Sequence, residues 1–258
     1  MYACNTLETK FLNIMRGVTL TAPSALYIGL YLSNPGETGE GVEITYTGYE
    51  RQLITFSAPA AESGGLGVKN DTEISFAMAQ ADAGTVTHIG ISDSKIGGEM
   101  LLYGKLTDDL IVSASEMPVI LAGEIVYYLT GNLSNAYKTK LLNVLRGQSI
   151  AGCTPHLTLW SGNPESGGSE LAGANYARVP VAFSAPAEAE SGQMMSQNSA
   201  AVIFNRPTTP WGLWSYTAFY DAITGGEPVW VQEKLPAKEI KRGYMPKVDA
   251  GDIKVAIN

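Results

Sequence analysis

The 258-residue chain holds no apolar run long enough for a membrane-spanning helix, and 45% hydrophobic against 16% charged residues is the balance of a chain that folds. A net charge of −8, with no cluster of Lys and Arg, argues against nucleic-acid binding, which needs a basic face. The first residues, Met1-Tyr2-Ala3-Cys4-Asn5, lack the basic start and apolar stretch of a signal peptide, so synthesis in a cytoplasm is expected.

In chain order the elements read as follows. Leu7, Phe11, Ile14 and Met15 share one face of a helix, with Asn5-Thr6 as N-cap candidates, Glu8 close behind and Gly17 as a left-handed stop. Residues 26–32 are apolar on both faces and read as a central buried strand. A Gly-rich loop fills 34–41, and 51–56 form a strand. Residues 63–69, with three glycines, read as a loop, and 72–78 as a strand with Ile74, Phe76 and Met78 alternating. Strands at 86–92 and 100–104 flank a turn at Gly97-Gly98, a hairpin signal. Short strands at 110–112 and 125–129 follow.

The same pattern then recurs. Residues 9–17, TKFLNIMRG, match 139–147, TKLLNVLRG; Ser33-Asn34-Pro35 is echoed by Gly162-Asn163-Pro164. Tyr49-Glu50-Arg51 meets Tyr176-Ala177-Arg178, and Phe56-Ser57-Ala58-Pro59-Ala60 meets Phe183-Ser184-Ala185-Pro186-Ala187. Asp93 with Gly97-Gly98-Glu99 meets Asp221 with Gly225-Gly226-Glu227; Met117-Pro118 meets Met245-Pro246, and Ala122-Gly123-Glu124-Ile125 meets Ala250-Gly251-Asp252-Ile253. Collinear matches in this number mark a tandem duplication. The expected architecture is mainly β: two β-sandwich or jelly-roll-like domains, 1–130 and 131–258, each opened by one α-helix that covers an open end or edge of its sheets.

The copies differ in their aromatics. All four tryptophans fall in the second, which holds Trp160, Trp211, Trp214, Tyr216, Phe219, Tyr220 and Trp230. Two readings stand: a larger core, or a contact patch of Trp211, Trp214, Tyr216, Tyr220 and Trp230 for a partner protein or a glycan. Cys4 and Cys153 fall at non-equivalent places and are either free thiols or the makings of an intersubunit disulfide.

No constellation for catalysis is legible. The acids form no marked pair for hydrolysis. Asp93 and Asp221 precede Gly-Gly turns, where a side-chain hydrogen bond to the turn is expected. His88 maps near Thr217 and His156 near Leu26, so neither is kept as a base. Gly64-Gly65-Leu66-Gly67 lacks the Lys-Ser/Thr of a phosphate-cradling loop, and two Cys with two His are too scattered for zinc. The recurring Arg51 and Arg178 are expected to pair with carboxylates. No cofactor, no metal and no enzymatic activity are expected.

A resemblance is carried by the Thr9-Lys10-Phe11-Leu12 helix, by Ala22-Pro23 leading into Leu26-Tyr27-Ile28-Gly29-Leu30, and by Gly48-Tyr49-Glu50-Arg51 running on to Phe56. Asn70, Ile74-Ser75-Phe76, the stretch 84–93 and Gly98-Glu99-Met100-Leu101-Leu102-Tyr103-Gly104 extend it. It resembles the phage tail-fibre-like virion proteins, in which one module of this length is usual; the second copy matches in skeleton only, with Trp214-Ser215-Tyr216-Thr217-Ala218-Phe219 where the family has its Thr-His-Ile-Gly strand. The resemblance implies a virion structural protein of a tailed phage, made in the host cytoplasm, in the tail, neck or collar, or fibre assembly. Its partners would be other virion proteins and copies of itself, in a ring or sleeve, without nucleic acid or membrane. The other reading is a host-receptor or glycan-binding adhesin module.

Overall fold

The computed structural model describes residues 1–190 and 192–257. The first copy runs β1 (Tyr2–Ala3), α1 (Asn5–Ile14), β2 (Leu26–Tyr31), β3 (Gln52–Ile54), β4 (Ala60–Glu62), β5 (Gly65–Lys69), β6 (Ile74–Ser75), β7 (Gly84–Ser92), β8 (Met100–Val112), β9 (Val119–Ile120) and β10 (Val126–Leu129). The second runs α2 (Asn135–Val144), β11 (His156–Ser161), β12 (Ser169–Glu170), β13 (Val179–Pro180), β14 (Ala187–Glu188), β15 (Met194–Gln197), β16 (Val202–Ile203), β17 (Gly212–Tyr220), β18 (Pro228–Ile240), β19 (Lys247–Val248) and β20 (Lys254–Ala256).

Each copy is mainly β and sandwich-like, as expected. The large antiparallel sheet of the first has the order β1-β8-β7-β2-β3; that of the second has β12-β11-β17-β18, with β13 also on β11. A smaller sheet accompanies each, β10-β5-β4 and β14-β15-β20, with the ribbons β6–β9 and β16–β19. Registers repeat too: Tyr27 faces Ser92 across β2–β7, and His156 faces Tyr220 across β11–β17. Strand β2 is central because nearly all its residues are apolar; Ile28 and Leu30 are fully buried.

Three readings of local structure need correction. Residues 65–69 are strand β5 rather than loop, held between β4 and β10. Its glycines admit the neighbouring strand: a Cβ on Gly67 would lie 2.8 Å from both the Tyr127 carbonyl oxygen and the Tyr128 Cβ. The stretches 100–104 and 110–112 are one 13-residue strand, β8. Within 72–78 only Ile74–Ser75 pairs, because its partner β9 is itself two residues long.

The helices end as read and begin otherwise. At the C-terminus, Gly17 sits at φ +83° while its N–H bonds Ile14 and that of Val18 bonds Asn13, a left-handed cap that Gly147 and Gln148 repeat. At the N-terminus, the cap position of α1 is Cys4, without a side-chain bond, rather than Asn5 or Thr6. In α2, Ser134 accepts from the Tyr137 N–H at 3.0 Å.

Neither helix simply closes its own copy. Helix α1 lies between its own β8 and the strands β15 and β20 of the second copy, and α2 between its own β18 and β5 of the first. One continuous apolar core therefore includes Phe11, Ile14, Val68 and Tyr127 with Leu141, Val144, Phe183 and Val255.

Candidate assembly site

The recurring polar residues act as clamps on the scaffold. Arg51 lies flat against Glu43: Nε donates to both carboxylate oxygens at 2.9 and 3.2 Å, and Nη2 donates at 2.8 Å. Its Nη1 donates to the carbonyls of Ser94 and Gly97, at the β7–β8 turn. Tyr49 donates its hydroxyl to Glu43 at 2.9 Å and accepts from the Leu30 N–H. The second copy repeats each bond: Arg178 on Glu170, with Nη1 on the carbonyls of Ala222 and Gly225, and Tyr176 between Glu170 and Leu159. A planar guanidinium does this because its fixed donors serve a carboxylate and a turn at once. Both arginines are held above their ordinary pKa: for Arg51 the Glu43 hydrogen bond is the largest cause, while for Arg178 burial is the largest and pulls down, and the Glu170 hydrogen bond and charge, with Tyr176 and Tyr220, together outweigh it.

The turns so clamped are also held from within. Asp93 accepts from the Glu99 N–H at 2.9 Å and Asp221 from that of Glu227 at 2.8 Å, as their positions suggest. Lys10 of α1 pairs with Glu99, and Lys140 of α2 with Asp221 and Glu227. A second repeated clamp is a fully buried asparagine. Asn70 donates to the carbonyls of Thr72 and Leu121 and accepts from the Ile125 N–H; Asn198 makes the same bonds to Ala200, Asp249 and Ile253.

The joint between the copies is a third device. Leu20 and Ile150 form an antiparallel bridge, and the Cys153 N–H donates to the Ile14 carbonyl at 2.9 Å. The backbones touch so closely that a Cβ on Gly152 would lie 2.1 Å from the Gly17 carbonyl carbon. Arg146 donates to the Phe56 carbonyl. Glu8, rather than capping its own helix, accepts from the Met194 N–H of the second copy at 2.7 Å. Burial lifts its carboxyl to about 7, against the pull of that N–H bond and with Glu37 adding to the rise.

The residues singled out by type fall elsewhere. Trp211, Trp214, Tyr220 and Trp230 are 3–8% exposed and Tyr216 is half-buried. Trp211 donates to the Ala174 carbonyl, Trp214 to the Thr217 hydroxyl, Trp230 stacks on Phe219, and Tyr220 lies under the Arg178 guanidinium at 4.2 Å. The contact patch is corrected for most of its rings: Trp211, Trp214 and Trp230 belong to the main apolar core, while Tyr220, with half-buried Tyr216 and Trp160, packs in a small separate cluster with Ala218 and Val231 on the other face of the sheet. Cys4 is 1% exposed and Cys153 half-buried, both free thiols. Burial, with Glu37 and Glu8 adding, lifts the Cys4 thiol to about 12; burial and Asp221, opposed by Lys140, lift Cys153 to about 11. Cys4 thus lies too deep to reach a neighbouring chain. Among the described residues no three His, Cys, Asp or Glu are grouped to hold a metal ion, and no helix is long and apolar enough to cross a membrane.

Sequence reading missed Glu43, Glu170 and Asn198. The signal was present: Glu43 and Glu170 are separated by the same 127 positions as Tyr49 and Tyr176, but a lone Glu in a Gly-rich loop looks solvated until its arginine is seen.

Clamps repeated in both copies, spent on turns, strand ends and a joint, define a scaffold protein built of one doubled β module. Residues 2–127 and again 132–256 match the family described as podophage GP4 fiber I protein gp80, and the chain belongs to that family. It is a phage fibre-type structural protein with the family module in tandem. No curated protein matches the chain.

Proposed function

We propose that this chain is a structural component of the tail, neck or collar, or fibre assembly of a tailed-phage virion, and that it works by binding other virion proteins and copies of itself. The observation that carries the reading is the family match over both copies together with the use of the recurring Arg, Tyr, Glu, Asp and Asn clamps for scaffold. A protein that works as a building block needs its shape held and its surfaces free to diverge, and that is how the two copies differ. Domains 1–130 and 131–258 are its two building units, and it carries out no catalysis. The glycan-binding alternative loses support because most of the second-copy rings, which would have to stack on sugars, are buried: Trp211, Trp214, Tyr220 and Trp230 are 3–8% exposed.

The test is mass spectrometry and antibody labelling of gradient-purified virions. The chain is expected at a fixed stoichiometry in the particle, at one location near the tail. Its absence from purified particles, or binding of the isolated protein to host glycans with assembly unaffected by its deletion, overturns the reading.

A further inference from the structure

The two copies share a scaffold but not a charge. Residues 1–130 carry fifteen acidic and six basic side chains, and residues 131–258 carry ten and eleven, for formal charges of −9 and +1. Part of the difference falls at equivalent places, the outer halves of β8 and β18 and the turns that follow them, where residues 105–116 carry −2 and residues 233–244 carry +2.

In the first copy this end is acidic. Asp108 and Asp109 are exposed on β8, Asp82 and Glu116 hold the turn at 113–116 through the N–H groups of Ala114 and Ser113, and Glu124 lies nearby, with Lys105 the basic exception. Beneath it opens a groove of about 570 Å³ with an apolar floor that includes Ile89, Leu106, Leu110 and Ile120; Asp108 and Glu124 stand in its wall, together with Lys105 and the amino-terminal Met1, whose ammonium is already held by the Val126 carbonyl.

In the second copy the equivalent end is basic and bears a protruding apolar side chain. Leu235 is 74% exposed and sits between Lys234 and Lys238 on β18, with Glu233 and Glu239 as the exceptions; Lys241 and Arg242 follow at the end of the strand, with Arg206 against Gly243. Two of the lysines are held in place by rings: Lys234 lies 5.3 Å from the Trp214 ring centre, and Lys238 donates to the Tyr244 hydroxyl at 2.6 Å. Both strands lie at sheet edges. Among the described residues, β8 outward of Tyr103 pairs only with β7, and β18 outward of Val231 pairs only with β17.

We infer that the basic end of β18 docks, with Leu235 foremost, into the groove under the acidic end of β8 of a second copy of this chain. The occupant is committed by complementarity: an apolar floor for an exposed Leu, and carboxylates set against lysines that are already positioned. Because donor and acceptor surfaces lie on different copies of the module, the contact is head-to-tail, and repetition gives a ring where the rotation closes and a filament where it does not. This rests on the proposed reading of the chain as a self-assembling virion component and names the surface that does it.

The full-length chain carries the test, by sedimentation velocity at roughly 50 mM and 500 mM salt, a range over which exposed charges go from partly to strongly screened. Wild type is expected to associate at low salt and to dissociate at high salt. Asp108→Lys with Asp109→Lys makes both ends basic; Lys234→Glu with Lys238→Glu makes both acidic. Each variant alone is expected to weaken self-association roughly tenfold or more, and an equimolar mixture of the two to restore it. Leu235→Ser, at an exposed position, is expected to weaken association without changing the melting temperature. Wild type that stays monomeric at low salt, or variants that associate like wild type, overturn the inference. So does a mixture that fails to recover while each variant melts as wild type does. Any of these with the chain still found in virions leaves the proposed function standing and removes only this surface.

Discussion

Leu20 and Ile150, 130 positions apart and equivalent in the two copies, each donate an N–H to the other's carbonyl, at 2.8 and 2.9 Å. A pair of equivalent residues that bond reciprocally lies on an approximate two-fold axis, so the copies face one another as the subunits of a symmetric dimer do. The helices obey the same relation, α1 reaching β15 and α2 reaching β5.

The tightness of that joint is measurable. Gly152→Ala puts a methyl against the Gly17 backbone, which has no side chain to move aside. It is expected to lower stability by about 1–3 kcal/mol, the usual range for overpacking. Gly147→Ala meets no atom within 4 Å but keeps φ +83°, and is expected to cost about 1–2 kcal/mol by a different route, the left-handed backbone. Urea denaturation separates them when Asn replaces Ala: Asn tolerates the left-handed region, so Gly147→Asn recovers stability and Gly152→Asn loses more. Equal behaviour at the two sites would refute the close-contact account.

Arg178 is expected to tolerate Lys poorly. A lysine keeps the charge and loses the fork that joins Glu170 to the carbonyls of Ala222 and Gly225. Loss of about 1–3 kcal/mol is expected, discounted from a fully buried pair because both partners retain some solvent contact. Hydrogen exchange is the sharper readout: protection should fall first in the 221–227 turn, and a uniform fall over the whole chain would argue against the clamp.

Glu8 couples the joint to pH. Its carboxyl is raised in the folded state from 4.5 to about 7, so the folded chain binds the extra proton between those values. The contribution is present below about pH 4.5 and is lost as pH rises to about 7. Glu8→Gln keeps an oxygen for the Met194 N–H and carries no charge. It is expected to flatten the stability profile over this window and to stabilise the protein at pH 8 by about 1–3 kcal/mol. Thermal melts at pH 5 and pH 8 that shift alike in wild type and variant would rule the coupling out.

The thiols are expected to be inert. With Cys4 buried and raised to about 12, and Cys153 half-buried and raised to about 11, neither offers a thiolate near neutral pH. An aromatic disulfide reagent should label the native chain slowly and at Cys153 first, and label both in denaturant. Virion protein running as a disulfide-linked dimer on non-reducing gels would show that assembly exposes a cysteine this fold hides.

Much of the scaffold was legible. The helices at 7–15 and 137–145, the strands around Leu26, Val86 and Met100, the Asp-Gly-Gly turns and the duplication itself all follow from spacing, because each depends on residues near in sequence. What was misread depends on distant partners. The glycines at 64–67 look like a loop until Tyr127 and Tyr128 of β10 lie against them. The tryptophans at 211, 214 and 230 look like a patch until the pairing of β17 with β18 sets them in the core, while Tyr216 and Tyr220 fall on the other face of the sheet. Glu8 looks like a helix cap until Met194, 186 positions away, takes its carboxylate.

Composition and order alone therefore determine a doubled β module with a helix at the head of each copy, because hydrophobic period and turn chemistry are local properties. How the two modules meet, which arginine finds which carboxylate, and whether an aromatic or a cysteine faces solvent are set by packing between elements more than a hundred residues apart. Those contacts leave no periodic trace in the chain, since a single Glu, Gly or Trp reads the same in a loop, a joint or a core until its neighbours are in place.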